Sequence, residues 1–471
     1  MDSISYAMLL LKERFIGSFV LCSILCVVLH VLSGDSAETS RKNTSANQQF
    51  RGFQWSYLIV YTLAMFSDWL QGPYVYELYV SYGFSQQEIA ELFVCGFGSS
   101  MIVGTFVGGL ADKYGRRFMC VMYCVSYIIG CCTKLVPEYW TLMLGRFLSG
   151  ISTSLLFSVF ESWMVCEHNK RGYDDQQLAS TFSRSTFGNG LAAVVAGLIA
   201  NTFAEAYGYV APFMVALVPL LLTALIVFFS WDENFGNQDQ NTMSSFTKAF
   251  DLLRNDPKIC TLAFAQSCFE GAMYTFVFMW TPALKSVAET EAELDGKTLE
   301  GSTSQYLGVI FSCFMVCVMM GSSIFKIMNT GKSRLYNLPI ALHCVSFLMM
   351  GAVTLFYDNK LVVYFCFLLF EISVGVFYPA YGVIKSEKLP EEIRSSIMNI
   401  FRIPLNAFVV LLLLKIKFLS PPIVFAVCTF THGVALVCYL LFYSRLKRNE
   451  NDLSLKNPSE VEMRTGLMSS V

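Results

Sequence analysis

Thirteen apolar runs, each close to the length that lets a helix cross a lipid bilayer, constrain this 471-residue chain more than any other feature. They fall at about 15–32, 54–73, 87–108, 118–135, 140–164, 179–202, 210–230, 258–282, 305–325, 336–356, 361–384, 396–416 and 421–443. Inside a bilayer no water is available to backbone N–H and C=O groups, so a spanning segment must be a helix or part of a closed barrel. The runs are continuous, as in Leu220-Leu221-Leu222-Thr223-Ala224-Leu225, and not alternating, which selects helices. Composition agrees: 55% of residues are hydrophobic against 14% charged, more apolar surface than a soluble domain can bury. A formal net charge of −2 excludes a polyanion-binding surface, so no nucleic-acid partner is expected.

Several chemistries are absent from the pattern. The 16 cysteines are scattered through apolar runs, and Cys22/Cys26, Cys120/Cys124 and Cys313/Cys317 sit one helical turn apart, as small buried residues do. The four histidines are dispersed, so no metal site, disulfide framework or cofactor is expected. No glycine-rich phosphate loop opens a helix, and no nucleophile clusters with a base. The chain is expected to be neither an enzyme nor an ATP-driven pump.

The first run stands apart, followed by a polar stretch from Ser33 to Arg51. The other twelve form a regular series, divided six and six by the polar break at 231–257. The expected organisation is an extra N-terminal transmembrane helix and polar linker (1–51), a six-helix bundle (52–230), a cytoplasmic linker (231–257), a second six-helix bundle (258–443) and a disordered cytoplasmic tail (444–471). Basic residues gather in alternate loops: Lys113/Arg116/Arg117, Lys170/Arg171, Lys248/Arg254/Lys258, Lys326/Lys332/Arg334, Lys385/Lys388/Arg394 and Arg445/Lys447/Arg448. The opposite loops are poor in them, and the longest, Glu289 to Glu300, is acidic. The positive-inside rule then makes the linker and C-terminus cytoplasmic. A cleaved signal peptide at 15–32 would leave the series starting on the wrong side, so a retained helix with an outside N-terminus is expected. The sequon Asn43-Thr44-Ser45 would then face the cytoplasm unmodified.

Between the second and third helices of the series lies Gly108-Gly109-Leu110-Ala111-Asp112-Lys113-Tyr114-Gly115-Arg116-Arg117. Gly108, Asp112, Lys113, Gly115, Arg116 and Arg117 match the signature loop of the major facilitator superfamily, Gly-x-x-x-Asp-(Arg/Lys)-x-Gly-Arg-(Arg/Lys). Leu142-x-x-x-Arg146-x-x-x-Gly150 resembles that superfamily's fourth-helix arginine motif. The second half echoes the first: Met328-Asn329-Thr330-Gly331-Lys332-Ser333 is a decayed copy of the loop without its acid, and Glu371-x-x-x-Gly375 repeats Arg146-x-x-x-Gly150 with the charge inverted. The resemblance narrows on Asp68-Trp69-Leu70-Gln71-Gly72-Pro73-Tyr74, Phe157-Ser158-Val159-Phe160-Glu161-Ser162-Trp163, Glu270 with Phe278-Met279-Trp280-Thr281-Pro282, and Phe401-Arg402-Ile403-Pro404. These are similar to the molybdate-anion transporter family, over about residues 12–445. That resemblance implies an all-α membrane protein of the major facilitator fold: twelve transmembrane helices in two six-helix bundles, plus the extra N-terminal helix. It also implies uptake of molybdate or a related small oxyanion by alternating access, by a monomer in the plasma membrane.

Ionisable residues inside apolar spans are functional candidates by default. Arg146, Arg184 and Arg402 are the expected anion contacts, because a guanidinium stays charged and presents a fork of donors to an oxyanion. Asp68, Glu161, Glu270 and Glu371 are expected as charge partners or proton carriers, with Asp68 the partner of Arg146 and Glu270 or Glu371 carrying a coupled proton. The signature loop is the expected gate. Acid-rich first, seventh and tenth helices keep a second reading open, an organic cation or drug transporter of the same fold. A third is a nutrient receptor that binds without translocating.

Overall fold

The computed structural model describes residues 3–33, 45–236, 242–294, 306–328, 332–390 and 394–456. It consists of helices: α1 (Ser3–Leu32), α2 (Ser45–Gln71), α3 (Val75–Ser81), α4 (Gln86–Tyr114), α5 (Arg116–Cys132), α6 (Tyr139–Leu156), α7 (Val159–Lys170), α8 (Asp175–Tyr207) and α9 (Ala211–Ser230). After them come α10 (Thr242–Asn255), α11 (Pro257–Leu294), α12 (Leu307–Met328), α13 (Lys332–Leu355), α14 (Lys360–Lys388), α15 (Arg394–Leu413) and α16 (Pro421–Lys456). Among the described residues, ten helical stretches qualify as membrane spans by length and composition alone, and α2, α11 and α15 complete the series by position.

Local chemistry sets the boundaries. Gly72-Pro73 turns the first helix of the series through a 3-10 segment into α3, because proline cannot donate to the helical ladder. The fourth helix breaks at Phe157-Ser158 into α6 and α7. Ser85 with Glu88, and Asp174 with Gln177, form capping boxes that open α4 and α8. Gly115, at φ +100°, ends α4 and starts α5 in one residue, a conformation that side chains resist. On α14, Pro379 leaves the Gly375 carbonyl without its helical donor, and the Ser322 hydroxyl of α12 supplies one at 3.2 Å.

Helices α2 to α9 pack among themselves, as do α11 to α16, which gives the two bundles. The bundles meet where α8 lies on α12 and α4 on α15. Small residues bring α8 and α12 close: a Cβ on Gly197 would meet the Gly308 carbonyl at 2.8 Å. Helix α1 docks on the second bundle through α12, although it precedes the first in sequence. The Ser18 hydroxyl lies 2.8 Å from the Tyr364 hydroxyl, and Phe15 packs edge-on against Tyr364.

Three differences from the sequence reading concern the polar segments. The break at 231–257 contains an ordered strip, Trp231 to Gly236, and the helix α10, which packs on α15 and α11. Helix α16 continues to Lys456, where a disordered tail was expected from residue 444. Asn43, the acidic stretch at 295–300, positions 329–331 of the decayed loop and the tail beyond Lys456 lie outside the described residues.

Candidate functional site

The signature loop is held within its own bundle. Asp112 accepts a bond from Arg116 at 2.8 Å, one helical turn away. Glu233, from the strip after α9, accepts from the backbone N–H groups of Arg117 (2.8 Å) and Phe118 (3.1 Å) and so caps α5, where an acid suits the positive helix end. Gly236 lies so close to the Asp112 carboxylate that a Cβ there would collide with it. The strip is anchored by Trp231, stacked on Trp163 at 3.6 Å and 7°, and by Asn234, which donates to Glu167 at 3.3 Å. Arg116 and Glu161 line one recess of about 490 Å³ together with Cys166 and Phe235. The sequence offered Glu233 only as an acid just past the sixth apolar run of the series; its capping role needed the fold.

The two ends of the molecule differ. The end opposite the signature loop is closed by contacts between bundles. Lys285 on α11 donates to both oxygens of Glu77 on α3 at 2.8 Å, and Glu77 is only 4% exposed. Phe278 is wedged edge-on against Tyr76 and Phe93. Gln87 reaches the Leu414 carbonyl at 3.5 Å, and the Gly308 N–H points to the Tyr74 hydroxyl at 3.4 Å. Toward the signature-loop end, Glu161, Arg402 and Tyr378 are exposed although their helices belong to packed bundles. The inter-bundle ion pair, aromatic wedge and hydrogen bonds named above thus gather at the end opposite the loop.

Arg146 and Arg402 both approach α4. A Cβ on Gly96 would meet the Arg146 guanidinium at 2.8 Å, and one on Gly104 would lie 3.9 Å from Arg402. Eight residues separate these glycines, about 12 Å along a helix. Arg146 stacks over Phe93, 4.6 Å from the ring centre, and donates to the Leu92 carbonyl at 3.3 Å. Its expected direct pair with Asp68 is absent: Asp68 is bound by the Tyr127 hydroxyl and meets Arg146 only through longer-range attraction. The reason is local, since Tyr127 on α5 reaches the carboxylate while Arg146 is drawn to the α4 backbone. Lys134, absent from the sequence candidates because it ends an apolar run, is 1% exposed and donates to the Tyr79 hydroxyl at 2.8 Å.

In the second bundle, Glu270 accepts from Gln266 at 3.1 Å and lies within electrostatic reach of Lys385 and Arg402. Among the described residues no acid pairs with Arg402 or Lys385 at salt-bridge distance. Glu371 is buried on α14, with no hydrogen bond or ion pair found for it among the described residues. Its neighbour in the motif, Gly375, packs on the backbone of Val318 in α12, as Gly150 packs on α4 at Ser100. The two motif glycines thus do equivalent work, each letting the fourth helix of a bundle approach the second. Arg184 is half-buried on α8, which packs chiefly on α2, α9 and α12, while Arg146 and Arg402 both approach α4.

A molybdate-anion transporter of Xenopus tropicalis is 33% identical over 466 residues, spanning 94% of this chain and 97% of its own. This chain belongs to the molybdate-anion transporter family of the major facilitator superfamily. A second relative in that family, from Takifugu rubripes, is 34% identical over 426 residues, 83% of this chain and 85% of its own. A family described as sugar transporters with 12 transmembrane helices matches residues 15–369. Among solved structures, the nucleoside transporter NupG superposes with a TM-score of 0.63 at 13% identity, covering 83% of this chain and 99% of that one; this likeness concerns the fold alone. The all-helical, two-bundle architecture expected from the sequence is the one observed, and the chain is a multi-pass membrane transporter and not an enzyme.

Proposed function

We infer that this transporter carries a small tetrahedral oxyanion, molybdate foremost, through the space between its bundles by alternating access. The observation that carries the reading is Arg402. Its side chain is exposed, faces α4 of the other bundle, and has no acid paired with it at salt-bridge distance among the described residues. An unpaired guanidinium in a partly dehydrated space is costly unless an anion arrives. Arg146 supplies the matching cation on the first bundle, and Arg184 a third, further along α8. The names of the relatives support molybdate as the anion. Lipid bilayer surrounds the chain as a monomer, whose own two bundles complete the pathway.

The arginine-rich and lysine-rich loops make the signature-loop end cytoplasmic. The linker 231–257 and the C-terminus then lie inside, and the plasma membrane is the working location. Glu270 is the coupling carboxylate: it lies within electrostatic range of Lys385 and Arg402 and can hold a proton when an anion neutralises them, so that anion and proton move together as symport. Glu371, buried on α14 with no partner among the described residues, is the alternative proton carrier, and Asp68 and Glu161 set the charge of the first bundle's side. The signature loop, with Asp112 and Arg116 braced on Glu233, is the gating element at the cytoplasmic end. The test is molybdate uptake into proteoliposomes with and without an imposed pH gradient, with sulfate, tungstate and an organic cation as competitors. Uptake blocked by tungstate and driven by the gradient is expected. Competition by the cation alone would select the cation reading, and binding without flux would select a receptor.

A further inference from the structure

Glu371, Tyr378 and Lys385 are spaced by seven and share one face of α14. The Tyr378 hydroxyl contacts the Met273 sulfur at 3.4 Å, which turns that face toward α11. Two turns closer to the loop end, the same face carries Lys385, half-buried. On the other side, the Ser267 hydroxyl donates to the Phe401 carbonyl at 2.6 Å and fixes α15 against α11, so that Arg402 stands beside the same stretch of α11. Glu270, on that stretch of α11, lies within electrostatic range of both cations and is hydrogen-bonded by Gln266 at 3.1 Å. Two cations against one acid leave an excess of one positive charge here. Glu371 stands fourteen residues from Lys385 along α14, about 21 Å, and Glu161 lines the recess beside Arg116, so neither is placed to balance the excess.

We propose that Lys385 is a second anion-binding residue, paired with Arg402, and that it sets the preference for a dianion over a monoanion. This rests on the oxyanion reading above. The guanidinium fork orients the oxygens, and the ammonium supplies a compact second charge. A tetrahedral monoanion is satisfied by the arginines without Lys385; a dianion draws on the lysine as well.

The test separates charge from shape. Molybdate and perrhenate are both tetrahedral oxyanions, one a dianion and the other a monoanion. Uptake of each is measured in proteoliposomes with the full-length chain, Lys385→Met and Lys385→Arg, alongside equilibrium binding of both anions to the solubilised protein. Lys385→Met is expected to lower the molybdate-to-perrhenate ratio about tenfold or more in both assays, and Lys385→Arg to keep most of it. An unchanged ratio in Lys385→Met, or equal loss of both anions, overturns the assignment while leaving oxyanion transport standing. A wild-type chain that moves neither anion overturns the transport reading itself, and this assignment with it.

Discussion

Breaking the ion pair between Glu77 and Lys285 should open the far end of the molecule. The pair spans the two bundles, with both bonds at 2.8 Å and Glu77 almost fully buried. It exists only while that end is shut; once the end opens, each partner is hydrated separately. A charge-assisted hydrogen bond contributes about 1.5–3 kcal/mol net. The two bonds share one ammonium and one desolvation cost, so they are not additive, and about 2 kcal/mol for the pair is the working figure. That corresponds to a shift of roughly 30-fold in the closed-to-open ratio. Glu77→Gln keeps the shape and removes the charge. Hydrogen–deuterium exchange of the solubilised protein reads the result: amides of α3 and of α11 near Phe278 to Lys285 should exchange roughly 30-fold faster, with α5 and α9 unchanged. The aromatic wedge of Phe278, Tyr76 and Phe93 remains, so the end loosens without staying open. The charge swap Glu77→Lys with Lys285→Glu should restore much of the protection. Unchanged exchange in Glu77→Gln would refute the idea that this pair holds the end closed.

Glu270→Gln should preserve molybdate binding and abolish the response of uptake to a pH gradient; a gradient response that survives would move proton coupling elsewhere. Glu233→Ala removes the cap of α5 and the partner of Arg117, and should cost about 1–2 kcal/mol, seen as a lower thermal midpoint in detergent. Gly115→Ala should destabilise more sharply, since it forces a side chain to φ +100° and sets its Cβ 2.5 Å from the Glu233 carboxyl carbon; poor folding of this variant with normal folding of Gly108→Ala, whose Cβ meets nothing, is the expected contrast.

Much of the architecture was legible because bilayer physics writes it in the sequence. Runs such as 210–230 must be helices, and the six-plus-six grouping follows from one polar interruption. The signature loop was legible too, since Gly115 serves a turn that few residues can make. What stayed hidden was the choice of partners. Asp68 and Arg146 are both half-buried charges of the first bundle, yet Tyr127 takes the carboxylate and the α4 backbone takes the guanidinium. Lys134, Lys285 and Lys385 sit at the ends of apolar runs, where a sequence cannot separate a lysine reaching into the protein from one reaching water. The break at Phe157-Ser158 was invisible for a related reason: both residues fit the apolar run, and only the packing around α7 distinguishes the two pieces.

The central claim is that arginines of the two bundles, Arg402 foremost, bind the transported anion. Uptake of labelled molybdate into proteoliposomes, comparing the wild-type chain with Arg146→Ala, Arg184→Ala and Arg402→Ala at equal protein content, tests it most directly. Arg402→Ala should reduce uptake most, by about tenfold or more, and Arg146→Ala substantially, with Arg184→Ala the mildest because α8 packs chiefly on α2, α9 and α12 while the other two approach α4. Wild-type flux in all three variants would contradict the account.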